Sequence, residues 1–283
     1  VNYIDDTLAA INAAAADQNI PLPAQKVVPE TSDSFWVNMI GRGYPAPSKR
    51  FRWCTERLKI DPANAFIKNR AAEYGEVVMV LGVRSAESAT RAQVMSLHKI
   101  HGTALSRHST LPGAFVFTPI EAFSVDDVWA FLLQNPSPWG SDNRDLLAMY
   151  RNAQAGECPL VVDKQTESCG NSRFGCWVCT VVTKDKAMEA MIDNGEEWLE
   201  PLLELRDELA ETQNPDRKRE FRDFKRRDGS VTFVGDSETS IPGPYLFTYR
   251  KELLRKVLEA QEQVNSKAPP GEKTVLIQVE ELR

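Results

Sequence analysis

The fold class of this chain follows from the stretch VVMVLGVRSAES, residues 77–88. Its first five residues are apolar, and a continuous apolar run of this length is typical of a strand buried on both faces in a parallel sheet. A glycine and a polar loop follow, and then a helical pattern to about Lys99. This order predicts an α/β fold, in which ligands bind at the carboxyl end of such a strand.

Comparable signals surround this strand on both sides. A helix is predicted over 61–74, because Asp can cap a helix, Pro fits its first turn and Gly follows its end. A second strand is predicted over 114–118, and the next helix starts at a capping box over 124–127. We also expect short strands at 26–28 and 274–279, where small apolar runs occur.

The composition changes after Gly140. A cysteine-bearing loop is followed by mostly helical patterns, by a basic run over 217–227, and by a long amphipathic helix from Tyr245 to about Val264. We therefore predict two parts: residues 1–140, an α/β core, and residues 141–283, the cysteine loop and a helical region. The basic run alternates with acidic and aromatic residues, so both a solvated helix and a phosphate-binding patch fit it.

Bulk composition excludes several classes of protein. With 283 residues, 42% of them hydrophobic and 26% charged, the chain resembles ordinary globular proteins. The net charge of −6 means that any contact with nucleic acid must come from a local basic patch or a partner. We find no apolar run long enough to span a bilayer and no signal-like segment at the start. We therefore expect a cytoplasmic protein without a membrane partner.

Four of the five cysteines form the pattern Cys158-x10-Cys169-x6-Cys176-x2-Cys179. Four thiols are the number that a four-iron, four-sulfide (4Fe-4S) cluster takes from protein, and clustered thiols in a reducing compartment bind metal rather than form disulfides. A structural zinc site more often shows two Cys-x2-Cys pairs, and this pattern contains one. The pattern favours a cluster and leaves zinc or unligated thiols as alternatives.

Cys54 stands apart from the other cysteines, in a basic and aromatic segment. The cations around it are Arg50, Arg52, Arg57 and Lys59. Nearby positive charge lowers the pKa of a thiol and would favour a thiolate or persulfide nucleophile. Two other interpretations stay open: a small buried hydrophobic residue, or a cluster ligand that replaces Cys158.

These residues occur in longer motifs that resemble a known superfamily. The segment RWCTERLKI-x-P, residues 52–62, and the loop Gly82-x-Arg84-x-x-Glu87-Ser88 resemble the phosphoadenylyl-sulfate reductase superfamily. A narrower resemblance lies in FWVNMIGRGYPAP, residues 35–47, and CGNSRFGCWVCTVV, residues 169–182. Both motifs are similar to the DndC-type sulfurtransferases of bacterial DNA phosphorothioation, including the SspD branch.

The resemblance implies an ATP pyrophosphatase fold with a parallel sheet of the adenine-nucleotide α-hydrolase-like type. Such an enzyme uses ATP, with Mg²⁺, to adenylate a DNA phosphate so that sulfur replaces a non-bridging oxygen. A cysteine desulfurase would supply the sulfur, and other phosphorothioation proteins would be partners along with DNA. The mostly helical C-terminal part would carry the iron–sulfur loop.

The resemblance also implies roles for individual residues. The implied nucleotide- or phosphate-binding residues are Gly82, Arg84, Glu87, Arg52, Arg57 and Lys59. Cys54 and Arg84 would be catalytic, and the four clustered cysteines would hold the cluster. Without the resemblance, Arg84 and Glu87 equally fit a surface ion pair at the start of a helix.

One departure from the family pattern concerns its phosphate loop. The Ser-Gly-Gly-x-Asp-Ser motif is not found in this sequence. We expect that motif and the first strand upstream of Val1, and we expect the chain as given to hydrolyse ATP poorly. Two other functions stay open: an adenylyl-sulfate or phosphoadenylyl-sulfate reductase, and a metal-stapled DNA-binding module without catalysis.

Overall fold

A computed structural model describes residues 3–87, 89–154, 176–233, 235 and 240–282 of the chain. In these ranges the helices are α1 Tyr3–Asp17, α2 Trp53–Thr55, α3 Asp61–Tyr74, α4 Ala89–Leu97, α5 Val125–Gln134, α6 Asn143–Gln154, α7 Lys186–Asp193, α8 Glu200–Glu211, α9 Lys218–Phe221 and α10 Phe247–Lys267. The strands are β1 Val77–Val80, β2 Leu105–Arg107 and β3 Ala114–Phe117. Helices and a small sheet occur together, so the predicted α/β class is confirmed at this level.

The sheet has the strand order β1-β3-β2. The strands β1 and β3 are parallel, with Val77 opposite Ala114 and Val80 opposite Phe117. The strand β2 pairs with β3 in the antiparallel sense, with Leu105 opposite Phe117. The prediction of a parallel sheet is therefore correct for β1 and β3, but the described sheet as a whole is mixed. A short hairpin-like return through residues 108–113 makes the antiparallel pairing possible.

The burial of β1 differs from the prediction. Val78 and Val80 are 50% and 65% exposed, whereas Met79 packs against Ile67 of α3, Leu111 and Ala114. Helix α3 covers one face of the strand, and the opposite face is open to solvent. The prediction that this strand is buried on both faces was wrong, because the sequence run does not reveal whether a second layer is present.

Local signals at the helix ends were predicted correctly. Helix α3 starts with Asp61 and Pro62 and stops at Gly75, whose φ of 84° is a left-handed conformation that glycine adopts without strain. Helix α5 starts at a complete capping box between Ser124 and Asp127. The strand predictions at 26–28 and 274–279 were wrong, because neither segment finds a neighbouring strand to pair with in the described fold.

The main core lies between α8, α10 and the segment around residues 36–53. Helix α10 buries a stripe of residues at helical spacing: Tyr249, Leu253, Val257, Ala260 and Val264. The first four of these residues form one cluster with Leu205 and Leu209 of α8 and with Trp36, Met39 and Trp53, whereas Val264 packs in a second cluster. This core joins residues on both sides of the predicted division at 140, and the division itself stays a prediction. No helix in the described ranges is long and apolar enough to cross a membrane.

Candidate functional site

Cys54 lies in the one-turn helix α2, directly after the buried residue Trp53. The indole nitrogen Nε1 of Trp53 donates a hydrogen bond to the carbonyl of Pro45 at 2.9 Å, which fixes the start of this helix. Cys54 is half-buried and packs against the main core, where Trp177 and Val178 also pack. The fold therefore brings Cys54 to the segment that contains the last two clustered cysteines.

We call residues 176–179 the cysteine turn. The amide of Cys179 donates to the carbonyl of Cys176 at 2.8 Å, so the two thiols stand at the ends of one tight turn. Both cysteines are free and half-buried. Cys54 packs on the same core as Trp177 and Val178 of the cysteine turn, so the fold brings the two segments to one place. Cys54 is far from the other two in sequence, so this convergence is a product of the tertiary fold.

The pKa of Cys54 corrects one prediction. Burial raises the pKa of the thiol above its ordinary value, and the nearby Cys179 and Cys176 raise it further. Lys59 acts in the opposite direction, but its effect is the weakest of these. The prediction of a lowered pKa was therefore wrong: Lys59 acts in the predicted direction, but burial outweighs it.

A buried arginine holds the chain that follows the cysteine turn. The residue Arg206 of α8 is fully buried, and its Nε donates to the carbonyl of Cys179 at 3.2 Å. Its two terminal nitrogens donate to the carbonyls of Thr183, at 2.9 Å, and Val182. Three backbone carbonyls thus depend on one guanidinium group. The sequence reasoning missed Arg206, because no local pattern distinguishes it from the exposed arginines.

The cysteine turn is also tied to the turn before α2. The hydroxyl of Thr180 donates to the carbonyl of Pro47 at 2.7 Å, and the side-chain amide of Gln213 donates to the same carbonyl at 2.9 Å. The rings of Trp36 and Trp177 pack with centroids 6.4 Å apart. These contacts connect the two motifs, 35–47 and 169–182, that carry the family resemblance.

The three predicted basic residues near Cys54 have different surroundings. Arg57 donates to the carboxylate of Asp33 at 2.8 Å and to the hydroxyl of Tyr44 at 3.1 Å. Hydrogen bonding and charge from Arg42 and Arg57 keep the pKa of Asp33 below its usual range. Arg52 and Lys59 are exposed. Of the three, Arg52 and Lys59 are the more accessible to a phosphate.

The predicted nucleotide loop lies in another part of the fold. Arg84 and Glu87 form an ion pair of 3.5 Å after the carboxyl end of β1, and the amide of Ser85 donates to the carbonyl of Glu121 at 3.0 Å. Gly82 faces Ile120, and an added Cβ there would make an ordinary contact. These residues belong to the sheet rather than to the main core around Cys54.

An open cleft of about 530 Å³ lies at the carboxyl end of β3, and its lining includes Glu121, the residue whose carbonyl accepts from Ser85 of the Arg84 loop. Phe117, Thr118, Glu121 and Lys99 are among its lining residues, and Lys99 pairs with Glu121 at 3.6 Å. Ligand sites of this size are common at the carboxyl ends of parallel strands. The sequence reasoning located this edge of the sheet but missed Lys99 and Glu121.

Two of the four predicted metal ligands, Cys158 and Cys169, lie outside the described residues. Across the described part of the chain, no group of three or more His, Cys, Asp or Glu side chains is arranged to hold a metal ion. The four-cysteine ligand set therefore stays a prediction, as do the predicted roles of Arg52, Arg57, Lys59, Gly82, Arg84 and Glu87.

Comparison with known proteins gives one similarity without a described activity. The chain is 26% identical over 114 residues to the uncharacterized protein MJ0066 of Methanocaldococcus jannaschii. The match covers 40% of this chain and spans about a fifth of that protein, 21% of its length. No family model matches the chain. No solved structure matches it.

Proposed function

We propose that this chain is a DNA phosphorothioation sulfurtransferase, with an ATP pyrophosphatase-like core and an iron–sulfur cluster. The observation that carries the proposal is that Cys54, which belongs to one sequence motif, packs on the same core as Trp177 and Val178 of the cysteine turn. This packing supports a role for Cys54 as a sulfur carrier that works beside the cysteine turn. The motifs that resemble DndC-type enzymes are the ones that the fold packs together.

The cysteine turn fits the cluster in its donor chemistry. Cys176 and Cys179 are reduced, partly accessible thiols in a tight turn, and thiolates are the ligands that iron–sulfur clusters take. Cys158 and Cys169, which lie outside the described residues, would complete the set of four. A bound cluster would supply electron transfer or hold the loop in its folded shape. Arg206 and Thr180 keep the polypeptide after Cys179 in one position.

Cys54 is the proposed sulfur carrier. A cysteine desulfurase would transfer sulfur to its thiol and leave a Cys54 persulfide. A DNA phosphate oxygen first attacks the α-phosphorus of ATP, which forms adenylated DNA and releases pyrophosphate. The terminal sulfur of Cys54 then attacks the DNA phosphorus, and AMP leaves with the oxygen. A cellular thiol cleaves the remaining S–S bond, which frees the DNA thiophosphate and leaves a disulfide that a second thiol reduces.

The Arg84 loop and the cleft beside it are the proposed nucleotide site. The loop follows the carboxyl end of β1, where α/β proteins bind nucleotides, and the cleft has room for part of one. Arg84 would orient a phosphate by its guanidinium group, and Mg²⁺ would accompany ATP. Arg52 and Lys59 are the accessible cations for DNA phosphates near Cys54.

Two measurements on cysteine variants test the proposal. After anaerobic reconstitution with iron and sulfide, Cys176→Ser should lose bound iron, whereas Cys54→Ser should retain it. In cells that depend on the variant gene, both substitutions should abolish phosphorothioate dinucleotides in digested DNA. The variant Thr110→Ser, at an exposed site on the sheet side, is the control for both measurements.

Each outcome has a distinct meaning. Persistence of phosphorothioates in Cys54→Ser and Cys176→Ser cells would contradict the proposed function. Loss of iron from Cys54→Ser to the same extent as from Cys176→Ser would make Cys54 a ligand rather than a carrier. Stoichiometric zinc without sulfide in the anaerobically purified protein would exclude the cluster.

A further inference from the structure

Four aromatic rings form a stacked row that runs from the core to the surface. The ring of Trp53 stacks on Phe35 on one side and on Tyr44 on the other, with both pairs of centroids 5.4 Å apart. The ring of Phe51 packs beside Tyr44 at 6.2 Å with an angle of 33° between the planes. Trp53 is buried, but Phe51 is 43% exposed. The row therefore ends in an aromatic ring that is open to solvent.

A tight turn places positive charge around that ring. The backbones of Ser48 and Phe51 exchange two hydrogen bonds of 3.1 Å, so Lys49 and Arg50 stand at the tip between them. Both tip residues are exposed, as is Arg52 on the other side of Phe51. Three cations thus flank one accessible ring within four residues of it, on a turn closed by its own backbone.

The basic run of the C-terminal region reaches the same place. The guanidinium carbon of Arg227 lies 5.5 Å from the centre of the Tyr44 ring. Its charge, together with burial, lowers the pKa of Arg250, which donates to the carbonyls of Ile40 and Gly41. Tyr44 thus contacts both Phe51 and Arg227, so two basic segments that are far apart in sequence form one surface.

Backbone pairing holds Arg227 at this surface. The amide of Asp223 donates to the carbonyl of Pro244 at 2.8 Å, and the amide of Gly243 donates to Asp223 at 2.7 Å. The amide of Tyr245 donates to Gly43 at 2.7 Å, directly before Tyr44. The basic run is therefore fastened through residues 243–245 to the turn that carries Tyr44. The chain leaves the helical conformation after α9 at Arg222, whose φ of −123° and ψ of 142° are extended.

The arginines of this surface have no acidic partner in the part of the chain that the structure describes. Arg50, Arg52 and Arg227 form no ion pair within the described residues, whereas Arg57 on the other side of Tyr44 pairs with Asp33. Like charges are gathered here in a chain whose net charge is −6. A surface that concentrates unpaired cations around an exposed aromatic ring is suited to an anion that carries flat rings.

We propose that the aromatic–basic surface, formed by Tyr44, Lys49, Arg50, Phe51, Arg52 and Arg227, binds a DNA strand with unpaired bases. A base would stack on the exposed face of Phe51, and the arginines would contact the neighbouring phosphates. The choice of DNA rests on the proposed function. The preference for unpaired bases rests on the solvent-exposed ring of Phe51. This surface lies beside α2, so it would deliver the DNA backbone to the region of Cys54.

Fluorescence anisotropy with labelled oligonucleotides tests the surface in the full chain. We expect Phe51→Ala to weaken binding of single-stranded DNA about 5- to 150-fold, which corresponds to the loss of one stacked base. Arg227→Gln should weaken binding and reduce the slope of log K against log salt by about 0.7, the effect of one phosphate contact on a single strand. Circular dichroism establishes that each variant is folded.

The control is Lys267→Gln, which removes one exposed charge at the far end of α10, about 30 Å along the helix from Phe247. If Arg227→Gln and Lys267→Gln bind single-stranded DNA with equal affinity, the proposed binding surface is wrong. Tighter binding of duplex DNA than of single strands, with no effect of Phe51→Ala, would also overturn it. Tighter binding of an RNA of the same sequence would overturn the choice of DNA.

This test is separate from the test of the function. If cysteine variants leave phosphorothioates in place but Arg227→Gln and Phe51→Ala weaken DNA binding, the sulfurtransferase proposal fails and the surface stands. If the cysteine variants abolish phosphorothioates but the surface variants bind DNA normally, the function stands and the DNA must be bound elsewhere.

Discussion

Replacement of Arg206 by methionine tests how the cysteine turn is held in place. Methionine retains much of the buried apolar volume but removes the guanidinium group that binds the carbonyls of Cys179, Val182 and Thr183. The buried carbonyl of Val182 then loses its donor, and so do the partly buried carbonyls of Cys179 and Thr183. We expect both a less stable chain and a looser cysteine turn.

The size of the effect follows from the surroundings of Arg206. Its ion pair with Asp207 contributes little, because the side chain of Asp207 is 55% exposed and water screens the charge. Each charged hydrogen bond to a buried carbonyl contributes about 1.5–3 kcal/mol, but contributions within one network do not add fully. We therefore expect the free energy of unfolding to fall by about 3–5 kcal/mol, which is less than the full sum for three such hydrogen bonds.

Urea unfolding followed by circular dichroism measures this loss, and the rate of thiol modification reports on the turn. With a slope of about 2–3 kcal/mol per molar urea, the midpoint should fall by about 1–2 M. At urea concentrations below the unfolding transition, Cys176 and Cys179 should be modified faster in the variant than in the unchanged chain. The matched control is Arg255→Met, whose guanidinium pairs with Glu252 and Glu259 on the exposed face of α10. Equal midpoints for the two variants would refute this account of Arg206.

Two further predictions concern Asp185 and Gly243. Asp185 caps α7, and burial raises the pKa of its carboxyl group. The folded state therefore holds the proton more tightly than the unfolded state does. As a result, the free energy of unfolding falls as the pH rises above 3.8 through the pKa of the folded state. Asp185→Asn should flatten that part of the pH profile in chemical denaturation and keep the cap. A Cβ at Gly243 would overlap the carbonyl of Lys225. Gly243→Ala should therefore cost about 1–3 kcal/mol and weaken DNA binding.

Controls for these two predictions are available in the same chain. Asp185→Ala removes the cap as well as the charge, so it should be less stable than Asp185→Asn at neutral pH by about 1 kcal/mol. If the unfolding free energy of Asp185→Asn depends on pH as it does in the unchanged chain, burial does not raise the pKa of Asp185. Gly41→Ala adds a Cβ that makes an ordinary contact with Val37. If Gly41→Ala is as damaging as Gly243→Ala, steric overlap is not the cause.

Much of the local structure was predictable because its causes lie within a few residues. The helix start at Asp61-Pro62, the glycine stop at Gly75 and the capping box at Ser124 depend on adjacent residues. The apolar strand run at 77–81 was likewise recognised. The exposed face of β1 was not, because burial depends on layers that pack from elsewhere.

The candidate site was predictable in its parts but not in its assembly. Sequence motifs singled out Cys54, the cysteine turn and the Arg84 loop, each from its own neighbours. The sequence suggested that cations would activate Cys54, and the structure instead surrounds it with core residues and thiols. Charge along the chain does not predict charge in space, since side chains such as Arg57 turn toward partners like Asp33.

The amino-acid sequence by itself determined the α/β class, the helix ends and the identity of the cysteines and basic segments, because these depend on side-chain chemistry and short-range periodicity. Only the tertiary structure decided that Cys54 and the cysteine turn pack on one core, that Arg206 holds the chain after that turn, and that Phe51 and Arg227 share one surface. These relations depend on long-range packing of α8 and α10 against the segment around Trp36 and Trp53, and no local pattern encodes such contacts.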